Sequence, residues 1–195
     1  MSGQVQDFVR AIRAAMEAQP MEGAIMSHEQ PEATFRLVLW RVWNPGPTAR
    51  LLSLTMLNPS TADHRKVDNT LKSCIRLARL LGFDGVVITN LFAYRATKPS
   101  DLKTADRIVG PYGNLWIEAA TLICDQVAAG WGAHGKLRGR DREVVEILRK
   151  RHDVWAFRLL EDGAPEHPLY IPSEVKSVGM VLYRPKFASA PTENP

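Results

Sequence analysis

Apolar residues near the start of the chain recur every three or four positions, at Val5, Phe8, Val9, Ile12 and Met16. This spacing predicts an amphipathic helix over 4–18, ended by Gln19, Pro20 and Gly23. The period then falls to two. Residues 34–43 (TFRLVLWRVW) alternate and are rich in β-branched and aromatic types, so they read as a strand. Asn44-Pro45-Gly46-Pro47 makes a turn, and residues 50–57 (RLLSLTML) form the next strand. The two strands are expected to pair as a hairpin.

Beyond residue 57 the pattern becomes strand and helix in alternation. A helix is predicted over 69–81, with Leu71, Ile75, Ala78 and Leu81 on one face, Asp68 as its N-cap and Gly82 as its stop. Residues 85–89 (GVVIT) are a continuous apolar run, as in a strand buried on both faces. A helix over 113–124, a short strand over 126–131, a helix over 139–151 and a strand over 153–159 follow. This order predicts a three-layer α/β/α fold with a short, mainly parallel sheet, preceded by an N-terminal helix and a β-hairpin. One domain is expected over 1–185, with its core over about 24–185, and the aperiodic tail 186–195 is expected to fray.

The chain has 195 residues, 45% hydrophobic and 24% charged, which is ordinary globular composition. No apolar run reaches the ~18–20 residues of a membrane span, and the N-terminus lacks the apolar stretch of a secretory signal. A cytoplasmic location is expected, with Cys74 and Cys124 as reduced core thiols. No CxxC, HExxH or His-rich tract occurs, so no metal or other cofactor is expected. The net charge of +4 is concentrated. Lys136, Arg138, Arg140, Arg142, Arg149, Lys150 and Arg151 stand against Asp141, Glu143 and Glu146, and this segment carries the whole excess. On a helix Arg138, Arg142 and Arg149 share one face, which suits contacts with nucleic-acid phosphates as well as plain solvation.

In parallel sheets ligands bind beyond the carboxyl ends of the strands. The segments there are polar. After the strand 50–57 comes Asn58-Pro59-Ser60-Thr61-Ala62-Asp63, and after 85–89 comes Asn90-Leu91-Phe92-Ala93-Tyr94-Arg95. Gly132-Ala133-His134-Gly135 follows Trp131, and Glu166-His167-Pro168-Leu169-Tyr170 follows the last strand. Asn58, Asn90, Trp131 and His167 are expected around one pocket. Each has a structural reading too. Asn58-Pro59-Ser60 suits a turn with a cap, Asn90 can cap its own loop, Trp131 suits the core and His167 a buried structural role. Arg95 and Lys98 suit a solvated surface, and Asp63 and Asp68 suit loop and cap positions. No GxSxG elbow or Walker loop is present.

MLNPSTAD (56–63), DNT (68–70), NLFAYRAT (90–97), GP (110–111), AAGWGAHG (128–135) and HPLY (167–170) together resemble the bacterial and phage domain-of-unknown-function family 1643. The likeness runs from about Ala24 to Tyr170. The chain departs from that pattern at Asp68-Asn69-Thr70, where the family usually has Asp-Pro-Thr, and around Leu159-Leu160-Glu161, where a Leu-Gly element is blurred. More distantly, Asn58-Pro59, Asn90, Trp131-Gly132 and His167-Pro168 occur in the order of similar motifs in the uracil-DNA glycosylase superfamily. There Leu57 replaces a small residue and Leu169 replaces a serine. This likeness implies a uracil-DNA glycosylase-like fold and chemistry on a nucleobase.

Cleaving a base–sugar bond leaves negative charge on the base and positive character on the sugar. A site for it needs a donor at the base oxygen, a reader of the base edge and a positioned water. His167 suits the donor, Asn90 the reader and Asn58 the holder of the water, with Asp63 or Asp68 as the base an amide cannot be. Pro59, Ser60, Thr61, Phe92, Tyr94, Arg95, Trp131, Gly132 and His134 complete the expected substrate-binding set, Phe92 and Tyr94 as candidates to stack on a base. The sequence thus points to a nucleotide- or nucleic-acid-directed protein, with N-glycosidic hydrolysis as its reaction. A non-catalytic module binding a nucleotide, nucleobase or DNA is the alternative. No membrane partner is expected.

Overall fold

The computed structural model describes residues 3–29, 33–59, 68–96, 101–104, 107–150, 152–174 and 179–185. Seven strands form one sheet in the order β1-β2-β4-β3-β5-β6-β7. The centre is parallel: β4 (Gly85–Asn90), β3 (Leu51–Met56), β5 (Gln126–Ala129) and β6 (Val154–Ala156) run the same way. Antiparallel strands flank it, with β1 (Glu22–Glu29) and β2 (Ala33–Val42) on one side and β7 (Val181–Leu182) on the other. The architecture is α/β in three layers.

The predicted hairpin is present with different strands. β2 pairs with β1 and β4, and β3 pairs with β4 and β5. Residues 22–29 (EGAIMSHE) carry too few apolar positions to announce a strand. Their place is set by packing: a Cβ at Gly23 would lie 2.1 Å from the Trp40 ring, so only glycine lets the two strands close there.

α1 (Gly3–Ala18) buries Val5, Val9 and Ile12. With α4 (Gly113–Leu122) it covers one face of β2 and β4, against Val38, Trp40 and Val87. α5 (Arg140–Arg149) joins that layer further along, packing Val144, Val145 and Leu148 on Val127, Ala129 and Val154. α2 (Asn69–Leu80) covers the opposite face, with Leu71, Cys74 and Leu77 against Leu52, Leu54, Met56, Val86 and Ile88. β3 and β4 are therefore buried on both faces, as their apolar runs predict. Asp68 caps α2 by accepting from the Leu71 N–H at 2.8 Å, and Gly82 leaves the helix at φ +76°. A short helix, α3 (Asp101–Thr104), was not expected from the pattern.

The basic segment is less solvated than its charge suggests. Arg140 is 3% exposed, donates from Nε to the Leu91 carbonyl at 2.8 Å and pairs with Glu143. Lys136 pairs with Asp162, Lys150 with Glu118, and Arg149 donates to the Tyr183 carbonyl. Arg138 precedes α5 at φ +56° and donates to the Lys103 carbonyl. It therefore does not continue the helical face of Arg142 and Arg149, which corrects the expected three-residue stripe. No helix among the described residues is long and apolar enough to cross a membrane.

Candidate functional site

A cleft of about 470 Å³ opens beyond the carboxyl ends of the parallel strands. The segment after β3 gives it Leu57 and Asn58, α2 gives Thr70, and the segment after β4 gives Ala96. Trp131, Gly132, Ala133 and His134 follow β5, and Leu160, Glu166, His167, Leu169 and Tyr170 follow β6. Two close approaches shape it. A Cβ at Gly130 would lie 3.0 Å from Pro168, so a glycine there lets the His167-Pro168 segment pack against the end of β5. Gly132, at φ +71°, donates its N–H to the Pro165 carbonyl at 2.9 Å and fixes the same segment from the other side.

His167 is the most informative group in the cleft. Its Nδ1 accepts the Leu169 N–H at 3.3 Å. An acceptor nitrogen carries no proton, so Nε2 bears the hydrogen and is a donor. Burial lowers its pKa below the ordinary histidine value, and the charge of Asp68 opposes that shift. The ring is thus a neutral donor at neutral pH. Tyr170 lies beside it, ring centroids 5.9 Å apart, and is 70% exposed, so one aromatic ring is free to stack on a ligand.

Asn58 is half spent. Its Nδ2 donates to the Pro59 and Ala96 carbonyls at 3.0 and 2.9 Å, and no bond to Oδ1 is present among the described residues. Pro59 is buried and outside the lining, and its carbonyl also accepts the Ala96 N–H. Glu166 lines the cleft with its carboxylate paired to Arg158. Asp68 is the α2 cap, outside the lining. Trp131 is 2% exposed, a wall residue packed edge-on against Tyr183 at 5.7 Å.

Of the four residues expected together, Asn58, Trp131 and His167 share the cleft and Asn90 does not line it. Gly132 and His134 are also there. Phe92 is 1% exposed in the core, and Tyr94 packs on Phe35 at 6.1 Å, so neither ring faces the cleft. The physical reason is that the chain after β4 turns back along β2. The backbone N–H of Arg36 donates to the Ala93 carbonyl and that of Arg95 to the Thr34 carbonyl. Arg95 follows the same path and is outside the lining. Ser60, Thr61, Asp63 and Lys98 lie outside the described residues.

Sequence reasoning missed Thr70, Leu169 and Tyr170 as cleft residues. The adjacent apolar pair Leu169-Tyr170 directly after His-Pro was the available signal for a ligand-facing rim. Arg138, Arg142 and Arg149 lie away from this cleft, and Arg142 lines a second one of about 700 Å³ beside α5. Among the described residues no group of three His, Cys, Asp or Glu side chains is placed to hold a metal.

The fold and cleft define an α/β protein with a polar, partly aromatic site at its strand ends. The chain belongs to the DUF1643 family, described as a protein of unknown function, whose model matches residues 36–169. No curated protein matches it. Among solved structures it is similar to a "Putative hydrolase" from Agrobacterium vitis S4, at 15% identity and a TM-score of 0.36. That likeness covers 68% of this chain and 47% of the other.

Proposed function

We propose that the strand-end cleft binds a nucleobase or nucleotide and that the reaction its groups support is hydrolysis of an N-glycosidic bond. The observation that carries this reading is His167 as a neutral Nε2–H donor beside the exposed Tyr170 ring. Tyr170 offers a face for a heteroaromatic ring. His167 donates to an exocyclic carbonyl oxygen of the base and strengthens that bond as the electron pair of the cleaved C–N bond makes the oxygen anionic. Asn58 Oδ1 orients a water without taking its proton. The order of motifs shared with the uracil-DNA glycosylase superfamily points the same way. Outside the cleft, the exposed Arg142 and Arg149 of α5, and Arg138 before it, are suited to backbone phosphates although they form no single stripe.

A second reading is a binding module without chemistry. It is favoured by Glu166, whose carboxylate is tied to Arg158 and so is not a free base. One experiment separates them. The protein is incubated with damaged DNA and with free nucleosides, and released base is measured for the native chain and for His167→Gln. Release that disappears in His167→Gln supports the hydrolase. Saturable binding of base without release supports the module. Absence of both defeats the nucleobase reading.

A further inference from the structure

Strand β2 lies inside the sheet, yet it carries Arg36 at 8% exposure with no partner for its Nε among the described residues. Burying a cation is unfavourable unless hydrogen bonds and counter-charge replace its water. Asn90, the last residue of β4, is 5% exposed and its Oδ1 also lacks a partner. Val86 and Ile88 pack against α2, so strand alternation turns Asn90 to that same face. Arg36 faces α2 as well: Phe35 and Leu37 pack on the α1–α4 side, so alternation turns Arg36 to the α2 side, where the charge of Asp68, the cap of that helix, acts on its guanidinium. The segment Ala93–Ala96 joins this region to the cleft. Its first residue accepts the Arg36 N–H at 2.9 Å, and its last lines the cleft beside Asn58.

We propose that Arg36, Asn90 and the N-terminus of α2 form a phosphate subsite beside the strand-end cleft, which takes the phosphate monoester of a nucleotide whose base occupies the cleft. The base assignment rests on the function proposed above; the phosphate assignment does not. Phosphate oxygens accept from the guanidinium and from first-turn N–H groups of α2, which have no partner within the helix. Asp68 engages the Leu71 N–H and faces Arg36, so the subsite accepts its anion beside one carboxylate. Asn90 Oδ1 calls for a donor, and a sugar hydroxyl next to the phosphate provides one.

Titration calorimetry on the full chain tests this with uridine, uridine 5′-monophosphate, inorganic phosphate, and a short single strand with and without a 5′-phosphate. The monophosphate is expected to bind at least about tenfold tighter than the nucleoside, the scale of a charge-assisted hydrogen bond. Arg36→Met is expected to remove that advantage and leave nucleoside affinity unchanged. The strand pair distinguishes a free nucleotide from a nucleic-acid end as the source of the phosphate. Arg36-dependent binding of inorganic phosphate without nucleoside binding supports the subsite and defeats the nucleobase reading. Equal binding of nucleoside and monophosphate overturns the subsite and leaves the nucleobase reading intact. A phosphate advantage that survives Arg36→Met also overturns it, since Arg36 then only balances Asp68. Should Arg36→Met fail to fold, Asn90→Asp serves instead. A carboxylate there is expected to weaken monophosphate binding by about tenfold, and unchanged binding overturns the proposal.

Discussion

The strand-end cleft and the larger cleft beside α5 share a wall, the segment 159–167. Leu160, Glu166 and His167 line the first, while Leu159, Glu161, Asp162, Gly163 and Ala164 line the second. The larger cleft is rich in charge, and much of that charge is spent on the fold. Lys136 holds Asp162, buried Asp141 accepts the Arg142 N–H, and Arg149 reaches the Tyr183 carbonyl. Burial and nearby carboxylates push the Tyr183 phenol up to about 12, so it stays protonated at neutral pH. The smaller cleft keeps an exposed aromatic ring, a neutral imidazole donor and the side-chain amide of Asn58. Volume and charge density therefore do not favour the larger cleft as the site; the proposed function rests on the groups that the smaller cleft leaves uncommitted.

Removing the ring between the clefts is the most severe way to break this comparison. Trp131 lines the smaller cleft and packs on Tyr183, which lines the larger. A Cβ at Gly135 would lie 2.1 Å from its indole, so the ring is tightly enclosed. Trp131→Ala is expected to cost about 3–5 kcal/mol in denaturant unfolding, the range for a buried aromatic. A loss under about 1 kcal/mol would mean that the wall repacks and that the two clefts are not held apart by this ring.

Two glycines at positive φ sharpen the contrast. Gly132 belongs to the smaller cleft at φ +71° and Gly163 to the larger at φ +77°. An alanine at either is expected to cost about 1–3 kcal/mol, because its Cβ meets backbone strain in that region. Only Gly132→Ala should also weaken ligand binding, because its N–H anchors Pro165 and hence His167. Thermal melts and ligand titrations of both variants read the two effects. Equal binding losses would erase the functional distinction between the clefts.

The same contrast explains what the sequence disclosed. Helical periods marked α1, α2, α4 and α5, and the double-sided apolar runs marked β3 and β4, because burial writes itself into composition. The strand-end rule then brought Asn58, Trp131, Gly132, His134 and His167 to one cleft. The partners of β2 were hidden, since EGAIMSHE lacks a strand signal and chain order favoured β3. That error carried into the site. With β2 beside β4, the residues after β4 pair back onto it, which takes Phe92, Tyr94 and Arg95 away from the cleft. The burial of Arg36 and Arg41 gave no sequence signal, since charged residues in an alternating strand are ordinarily solvated, whereas here β2 lies between β1 and β4.

His167 makes the comparison pH-dependent. Burial holds its folded pKa below the ordinary value, so the unfolded chain binds the proton more readily. Its contribution to stability is full above about pH 6.5, the unfolded value, and is lost as pH falls through the lower folded value. Protonation also removes the Nδ1 acceptor for the Leu169 N–H. Ligand binding and stability should therefore decline together on acidification below that point. In His167→Gln this part of the acid dependence should vanish, as read by melts across pH 4.5–7.5. An unchanged profile would place the acid sensitivity elsewhere.

The smallest effect is expected from the charge-rich cleft. Lys136 and Asp162 lie 2.8 Å apart, with side chains 61% and 42% exposed. Their partnership and the Ala164 N–H hold the Asp162 carboxyl below its ordinary pKa. Exposure nevertheless lets water and salt screen the pair, and holding two long side chains in one geometry costs entropy. Lys136→Ala should therefore change stability by no more than about 0.5 kcal/mol, and less at high salt. It should leave binding in the strand-end cleft untouched, because His167 is held by the Leu169 and Pro165 contacts and not by this pair. A nucleobase affinity that falls with Lys136→Ala would show that the segment 159–167 transmits charge from one cleft to the other, and the two could then no longer be treated as separate sites.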